Sequence, residues 1–153
     1  MEYQAIYSAP FGKLGIRCSD DAVHGIDFLA SSVRKHGARN ALAKQACAQL
    51  DAYLANPDFR FDLPLQLDGT EHQLRVWHMM RVIPRGQTLS YGDLATEIGS
   101  SARAVGQACG SNPVPLVIPC HRVVGKAGLG GFMHRADHGA VDIKRWLLAH
   151  EQR

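Results

Sequence analysis

Residues 90–110 read Ser90-Tyr91-Gly92-Asp93-Leu94-Ala95-Thr96-Glu97-Ile98-Gly99-Ser100-Ser101-Ala102-Arg103-Ala104-Val105-Gly106-Gln107-Ala108-Cys109-Gly110, and contain two helix starts and two helix stops. Ser90 with Asp93 three residues later is a capping box, in which each side chain satisfies a backbone N–H that a first helical turn leaves unpaired. Leu94, Ala95 and Ile98 supply an apolar face. Gly99 ends that helix, because glycine enters the left-handed region without steric cost. Ser100 or Ser101 caps the next helix, from Ala102 to about Cys109, which stops at Gly110 and Asn112-Pro113. Two short helices joined by a tight glycine-serine turn predict a helix-turn-helix. On spacing alone a second reading stays open, since helical hairpins also occur in proteins that never touch DNA.

Upstream, Thr70 and Gln73 form another capping box ahead of Leu74, Trp77 and Met80, and Ile83-Pro84-Arg85-Gly86 makes a turn. Before Gly69 the pattern is different. Ala5-Ile6-Tyr7, Leu14 to Cys18 and Ala22 to Phe28 are short apolar runs separated by Pro10-Phe11-Gly12 and Asp20-Asp21, a β-meander pattern. Leu42, Ala46, Cys47, Leu50, Tyr53 and Leu54 recur at three- and four-residue steps and predict a helix within 38–55, closed by Asn56-Pro57. Leu63, Leu65 and Leu67 alternate as a strand, which Pro64 confines to an edge or a terminal position. The organisation therefore changes near Gly69, with an α/β domain over 1–69 and a mainly helical domain over 70–153.

Downstream, Pro113 and Pro115 forbid a helix. Leu116-Val117-Ile118 reads as a short buried strand delivering Pro119-Cys120-His121-Arg122, followed by a loop with Gly125, Gly128, Gly130 and Gly131. Ile143, Trp146, Leu147 and His150 sit at helical steps in a last helix that ends at 149–151.

The 153 residues are 46% hydrophobic and 20% charged, which suits a chain that buries its own core and excludes a disordered tail. Seventeen Lys plus Arg against 14 Asp plus Glu leave a net charge of +3, mild but compatible with a polyanionic partner. No apolar run reaches the roughly 18 residues of a membrane span, and the first residues lack a signal-peptide pattern, so a cytoplasmic protein is expected. The four cysteines include no Cys-x-x-Cys pair and read as reduced thiols.

Cys120 stands out among them. It follows a proline and precedes an imidazole and a guanidinium, neighbours that favour the nucleophilic thiolate. Adjacent side chains on extended backbone point to opposite sides, so cooperation of Cys120 with His121 requires either a sharp turn at 120 or a bridging water. A histidine acting as base needs an orienting acceptor, and Glu151 at the end of the last helix is the candidate carboxylate.

These residues resemble the O6-alkylguanine-DNA alkyltransferase family. The resemblance rests on Val117-Ile118-Pro119-Cys120-His121-Arg122-Val123-Val124, Arg103-Ala104-Val105-Gly106-Gln107, Gly110-Ser111-Asn112-Pro113, Ser90-Tyr91-Gly92 and Lys144-Arg145-Trp146-Leu147-Leu148-Ala149-His150-Glu151. Val76-Trp77, Ile83-Pro84-Arg85-Gly86 and the early Ser8-Ala9-Pro10-Phe11-Gly12 extend it over essentially the whole chain.

The resemblance implies a ribonuclease-H-like N-terminal structural domain and a DNA-binding, alkyl-accepting C-terminal domain. The implied activity is suicide transfer of the alkyl group from O6-alkylguanine in DNA, with O4-alkylthymine as a second lesion, to the protein's own Cys120. His121 corresponds to the base, acting through a water, and Glu151 to the acid that orients it. Asn112 would brace the active-site turn, and Tyr91 would donate a proton to the leaving guanine. Arg103 would enter the base stack as the damaged nucleotide is flipped out, with Ala102, Ala104, Gly106 and Tyr91 against DNA in the minor groove. Val123, Phe132 and Arg122 would line the substrate pocket, the carbonyls of Cys120 and Val123 facing the guanine amino group. The implied partner is double-stranded DNA carrying alkylated guanine. The protein is expected to be a monomer that needs no cofactor, with cooperative assembly on DNA left open.

The sequence also departs from the family pattern. The turn before Arg103 is about two residues short, and Phe132 to Gly139 replaces the usual Tyr-Ser-Gly-Gly, which lengthens the path to Lys144 by roughly five residues and is expected to reshape the pocket wall. His134 and His138 have a metal-compatible spacing, and Cys18 and His24 lie near positions where some relatives hold zinc. Neither is a full ligand set, so no metal is expected. The competing classes are a non-catalytic lesion-binding protein, disfavoured by Cys120; a turnover thiol enzyme, disfavoured by adjacency of nucleophile and base; and a plain helix-turn-helix regulator, which has no use for Pro119-Cys120-His121-Arg122.

Overall fold

A computed structural model describes residues 2–133 and 138–153, the side chain of His138 excepted. It divides into two compact units, residues 1–67 and 68–153.

The first unit is an antiparallel meander of β1 (Ala5–Ala9), β2 (Gly12–Cys18) and β3 (Val23–Leu29), followed by helix α1 (Ala41–Ala55). Ala5 pairs with Ile16, and Ile16 with Ile26, so the inward residues of all three strands meet at one level. Leu14, Ile16, Cys18, Val23 and Ile26 are buried with Leu42, Ala46, Leu50 and Tyr53 of α1. Asn40 caps α1 by accepting from the Ala43 N–H, and Asn56 ends it. The strand expected over 63–67 is only a single parallel bridge between Leu65 and Val23. Leucine alternation reports one buried face there, but Pro64 has no N–H with which to extend a ladder.

The second unit is mainly helical: α2 (Glu71–Arg81), α3 (Tyr91–Ile98), α4 (Ala102–Gly110) and α5 (His138–His150). Both capping boxes form, Thr70 with Gln73 and Ser90 with Asp93. Gly99 adopts the left-handed conformation at φ 67° and ends α3. Of the two candidate caps before α4, Ser101 acts, accepting from the Ala104 N–H. Trp77 on α2 is 1% exposed and donates its indole N–H to the Ala108 carbonyl of α4 at 2.8 Å. That bond satisfies the one polar atom of a large core side chain and joins the two helices.

Two short strands, β4 (Leu89–Ser90) and β5 (Val123–Val124), pair in parallel. They set the start of α3 beside the segment just after Cys120. Residues 116–118, expected as a strand, contain only the Pro115–Ile118 bridge. Leu116 there has φ 73°, a left-handed conformation that costs a β-carbon-bearing residue about 1 kcal/mol or more, and its side chain is buried. No helix among the described residues is long and apolar enough to cross a membrane.

Candidate active site

Cys120 opens a single 3-10 turn, Cys120–Arg122, instead of lying on extended backbone. The chain therefore turns at 120, but the Cys120 sulfur meets Met133 and His121 Nδ1 has no partner among the described residues, so the turn by itself does not join thiol and imidazole and the bridging water remains the second way. The turn is held from both sides. Asn112, 2% exposed, donates from Nδ2 to the Ile118 carbonyl at 2.7 Å and accepts the Val114 N–H at Oδ1, 3.0 Å away. On the far side β5 begins at Val123.

His121 and Glu151, each 1% exposed, meet at 2.7 Å through Nε2 and Oε2. An ionised carboxylate only accepts, so Nε2 carries the proton and Nδ1 presents its lone pair. That Nδ1 is buried without a hydrogen-bond partner among the described residues. Burial lowers the His121 pKa, opposed by its hydrogen bond to Glu151, and the resting ring is neutral. Burial alone would raise the Glu151 carboxyl, but hydrogen bonds from His121 and Arg122, and the Arg122 charge, hold it well below the usual carboxylate range.

Arg122, expected in the substrate pocket, commits its guanidinium to Glu151 and to the Ile83 carbonyl. Nε reaches Glu151 Oε1 and Nη2 reaches Oε2, both at 2.9 Å, while Nη1 donates to the Ile83 carbonyl at 2.6 Å. This fork orients the carboxylate, which in turn orients His121. Arg85 donates to the Glu151 backbone carbonyl at 2.7 Å, so the Ile83-Pro84-Arg85-Gly86 turn fixes main chain and side chain of the same residue.

The thiol itself contradicts the expectation drawn from its cationic sequence neighbours. Burial pushes Cys120 up to about 11, outweighing the Asn112 hydrogen bond and the Lys144 charge that pull it down. Its Sγ lies 3.8 Å from the Met133 sulfur, and Met133 has a left-handed φ of 54°. Phe132 is buried at 4% exposure.

Lys144 was not singled out in the sequence, yet it is fully buried. Its ammonium donates to the carbonyls of Val123 at 2.7 Å, Leu129 at 2.6 Å and Gly131 at 2.9 Å, and lies 3.5 Å from the Tyr91 hydroxyl. Burial lowers it to about 8, still above neutrality. The Val123 carbonyl, expected to face the guanine amino group, is thus already an acceptor for Lys144. The missed signal is the phase of α5: Leu147 and His150 are buried as expected, but Ala140, Lys144 and Glu151 complete the buried stripe, whereas Ile143 and Trp146 are only half-buried. Tyr91, in the first turn of α3, is half-buried, and burial pushes its phenol up to about 12. A β-carbon on Gly130 would come within 2.9 Å of the Tyr91 ring, so the loop approaches Tyr91 because position 130 is glycine.

Ala102 and Arg103 are exposed at the start of α4, with Ala104 and Gly106 half-buried, while Val105, Ala108 and Cys109 face the core. The first four lie outside the buried Cys120 cluster, on the side of α4 turned to solvent. In the first unit, Cys18 Sγ contacts Asn40 Oδ1 at 3.5 Å. The His134 and His138 pair falls outside the described residues, and elsewhere no three potential metal ligands cluster among them.

Two family descriptions match the chain: "6-O-methylguanine DNA methyltransferase, ribonuclease-like domain" over residues 3–67 and "6-O-methylguanine DNA methyltransferase, DNA binding domain" over 71–153. The methylated-DNA–protein-cysteine methyltransferase of Methanosarcina acetivorans is 33% identical over 95% of this chain and 96% of its own. That of Mycolicibacterium paratuberculosis is 48% identical over 71% of this chain, a match spanning 64% of the relative's length. Among solved structures, Mycobacterium tuberculosis OGT in complex with DNA superimposes with a TM-score of 0.84 at 34% identity, covering 99% of this chain and 93% of that one.

Proposed function

The chain belongs to the 6-O-methylguanine DNA methyltransferase family, and from that membership we propose that it repairs alkylated DNA by moving the alkyl group from O6 of guanine onto its own Cys120, once per molecule. The observation that carries this reading is the buried thiol on a turn whose next residue is clamped to Glu151 at 2.7 Å.

Every proton and electron pair in the step has a destination. The Cys120 proton passes through one water to His121 Nδ1, whose ring Glu151 keeps in the tautomer able to take it. Sulfur attacks the alkyl carbon, a C–S bond forms, and the C–O6 bond breaks with its electron pair going to the guanine. Tyr91 protonates a ring nitrogen of the leaving base. A phenol near 12 is a weak acid, and the Lys144 ammonium 3.5 Å from its oxygen eases the transfer by stabilising the phenolate. The thioether has no leaving group of comparable quality, so the protein is spent.

The target atom lies inside a duplex, so the nucleotide is flipped out at a cost of a few kcal/mol. In this reading α3 and α4 form a helix-turn-helix in the minor groove, Arg103 fills the vacated stack, and Ala102, Ala104 and Gly106 admit the backbone closely. The first unit is a ribonuclease-H-like structural domain, O4-alkylthymine is a second substrate, and the protein works in the cytoplasm, where thiols stay reduced. Val123, Phe132 and Asn112 shape the pocket.

Incubation with duplex DNA containing O6-methylguanine, with intact-mass analysis and peptide mapping as the readout, tests this. One methyl group on Cys120, with one guanine restored per protein, is expected, and none on Cys120→Ala. Repeated turnover, or lesion binding without an adduct, would refute it.

A further inference from the structure

Helix α4 is anchored unevenly. Its body is fixed by the Trp77 bond to Ala108 and by buried Val105, Ala108 and Cys109, whereas its first turn starts with the exposed Ala102 and Arg103. The direction of that first turn therefore depends on the three-residue connection Gly99–Ser101. Two side chains of α2, one helical turn apart, reach this connection and its edge. His72 Nε2 lies 2.7 Å from Ser100 Oγ, and Arg75 Nη2 donates to the Ile98 carbonyl at 2.7 Å. Ile98 is the last residue of α3, so its carbonyl has no partner within the helix, and a guanidinium there also meets the negative end of the helix dipole. Neither residue lies near Cys120 in the hydrogen-bonded network of the site, and neither is part of the motifs that mark the family resemblance.

We propose that His72 and Arg75 are positioning residues for DNA engagement: they fix the α3–α4 connection and thereby the direction in which α4 presents Arg103 to the duplex. The inference rests on the reading of α4 as the DNA-facing helix. A connection this short has little slack of its own, so two tethers on either side of Gly99 suffice to orient the first turn of α4. Their loss leaves the thiol, its relay and the pocket in place while the helix start samples unproductive directions.

The test compares alkyl transfer from O6-methylguanine in a duplex with transfer from free O6-benzylguanine, which needs no DNA. Ser100→Ala and His72→Ala are expected to slow the duplex reaction between about twofold and tenfold, the range of one hydrogen bond. Arg75→Met is expected to slow it by about tenfold, with the free-base rate within twofold of wild type throughout and Arg75→Lys restoring most of the loss. The proposal is overturned if duplex and free-base rates fall together, or if Ser100→Ala and His72→Ala leave the duplex rate unchanged. It is equally overturned if only Arg75→Met has an effect and lowers the salt slope of binding by about one, which marks a direct phosphate contact. Ser100→Ala removes no charge and no core atom, so it stays informative if an α2 variant folds poorly. A wild-type protein that alkylates Cys120 with neither substrate would defeat the proposed function instead.

Discussion

Replacing Glu151 with glutamine strikes the proposed relay at its anchor. The carboxylate accepts from His121 at 2.7 Å and from Arg122 twice at 2.9 Å, with Glu151 only 1% exposed. Glutamine keeps the shape but has one acceptor oxygen, so either His121 loses its orienting partner or the Arg122 fork loses a tine. Removing one partner of a buried ion pair costs about 3–5 kcal/mol, and an isostere retains part of it, so Tm should fall by about 10 °C. The rate is the sharper readout. With burial pushing the thiol up to about 11, very little of it is thiolate near neutral pH, so wild-type reactivity depends on removing the proton during the reaction. Loss of a positioned base costs about 100- to 1,000-fold. The variant must then use thiolate formed by bulk hydroxide, and its rate should climb about tenfold per pH unit between pH 7 and 9, while the wild-type profile is shallower. Single-turnover quenching with intact-mass readout measures both. A variant rate within threefold of wild type at pH 7.4, with the same pH slope, would refute the relay.

Asn112→Ala leaves the buried Ile118 carbonyl and Val114 N–H without their side-chain partner, at about 1–3 kcal/mol, and thermal melting should show a loss of about 2–12 °C. Acid stability is governed by two depressed groups. Below about pH 6.5 the unfolded His121 takes up a proton that the folded ring refuses, and below about pH 4.3 the same holds for Glu151, so stability falls steadily as pH drops through both windows. Urea midpoints between about pH 8 and 2.5 measure this; a flat profile would contradict it, and Glu151→Gln should remove the lower step. Met133→Ala uncovers a thiol that Met133 now meets at 3.8 Å, and the rate with free O6-benzylguanine should rise a few-fold; an unchanged rate would show that the lengthened loop is no part of the pocket wall.

What the sequence made legible was whatever one helical turn decides. Thr70 with Gln73, Ser90 with Asp93 and left-handed Gly99 act at the predicted positions because caps involve neighbours in sequence. Residues 63–67 and 116–118 were less readable, since apolar alternation reports burial on one side but not whether a neighbouring strand supplies a ladder. The pairing of His121 with Glu151 rested on chemistry, not pattern, as the two are thirty positions apart. The direction of the Cys120 shift was illegible, because His121 and Arg122 are visible as cations in the sequence while burial depends on the whole unit. Once folded, His121 is neutral and Arg122 is committed to Glu151. Lys144 was hidden for a related reason: a lysine on a terminal helix reads as solvated until three carbonyls converge on it.

A buried, protonated thiol is at first sight a poor nucleophile, but Cys109 shows what burial accomplishes. Both thiols are buried, both are pushed up, to about 12 for Cys109 and about 11 for Cys120, and each rests against a methionine sulfur, at 3.5 and 3.8 Å. Oxidation and adventitious alkylation proceed through the thiolate, so both are protected at rest. The difference between them lies in what surrounds them. The neighbour of Cys120, His121, presents a basic nitrogen with no other partner among the described residues, whereas the Cys109 sulfur meets the Met80 thioether. A protein that reacts once has reason to keep its acceptor inert until the substrate is seated. Under the proposed relay, burial stores the thiol, and the His121–Glu151–Arg122 chain would let only one of two similar cysteines lose its proton on demand.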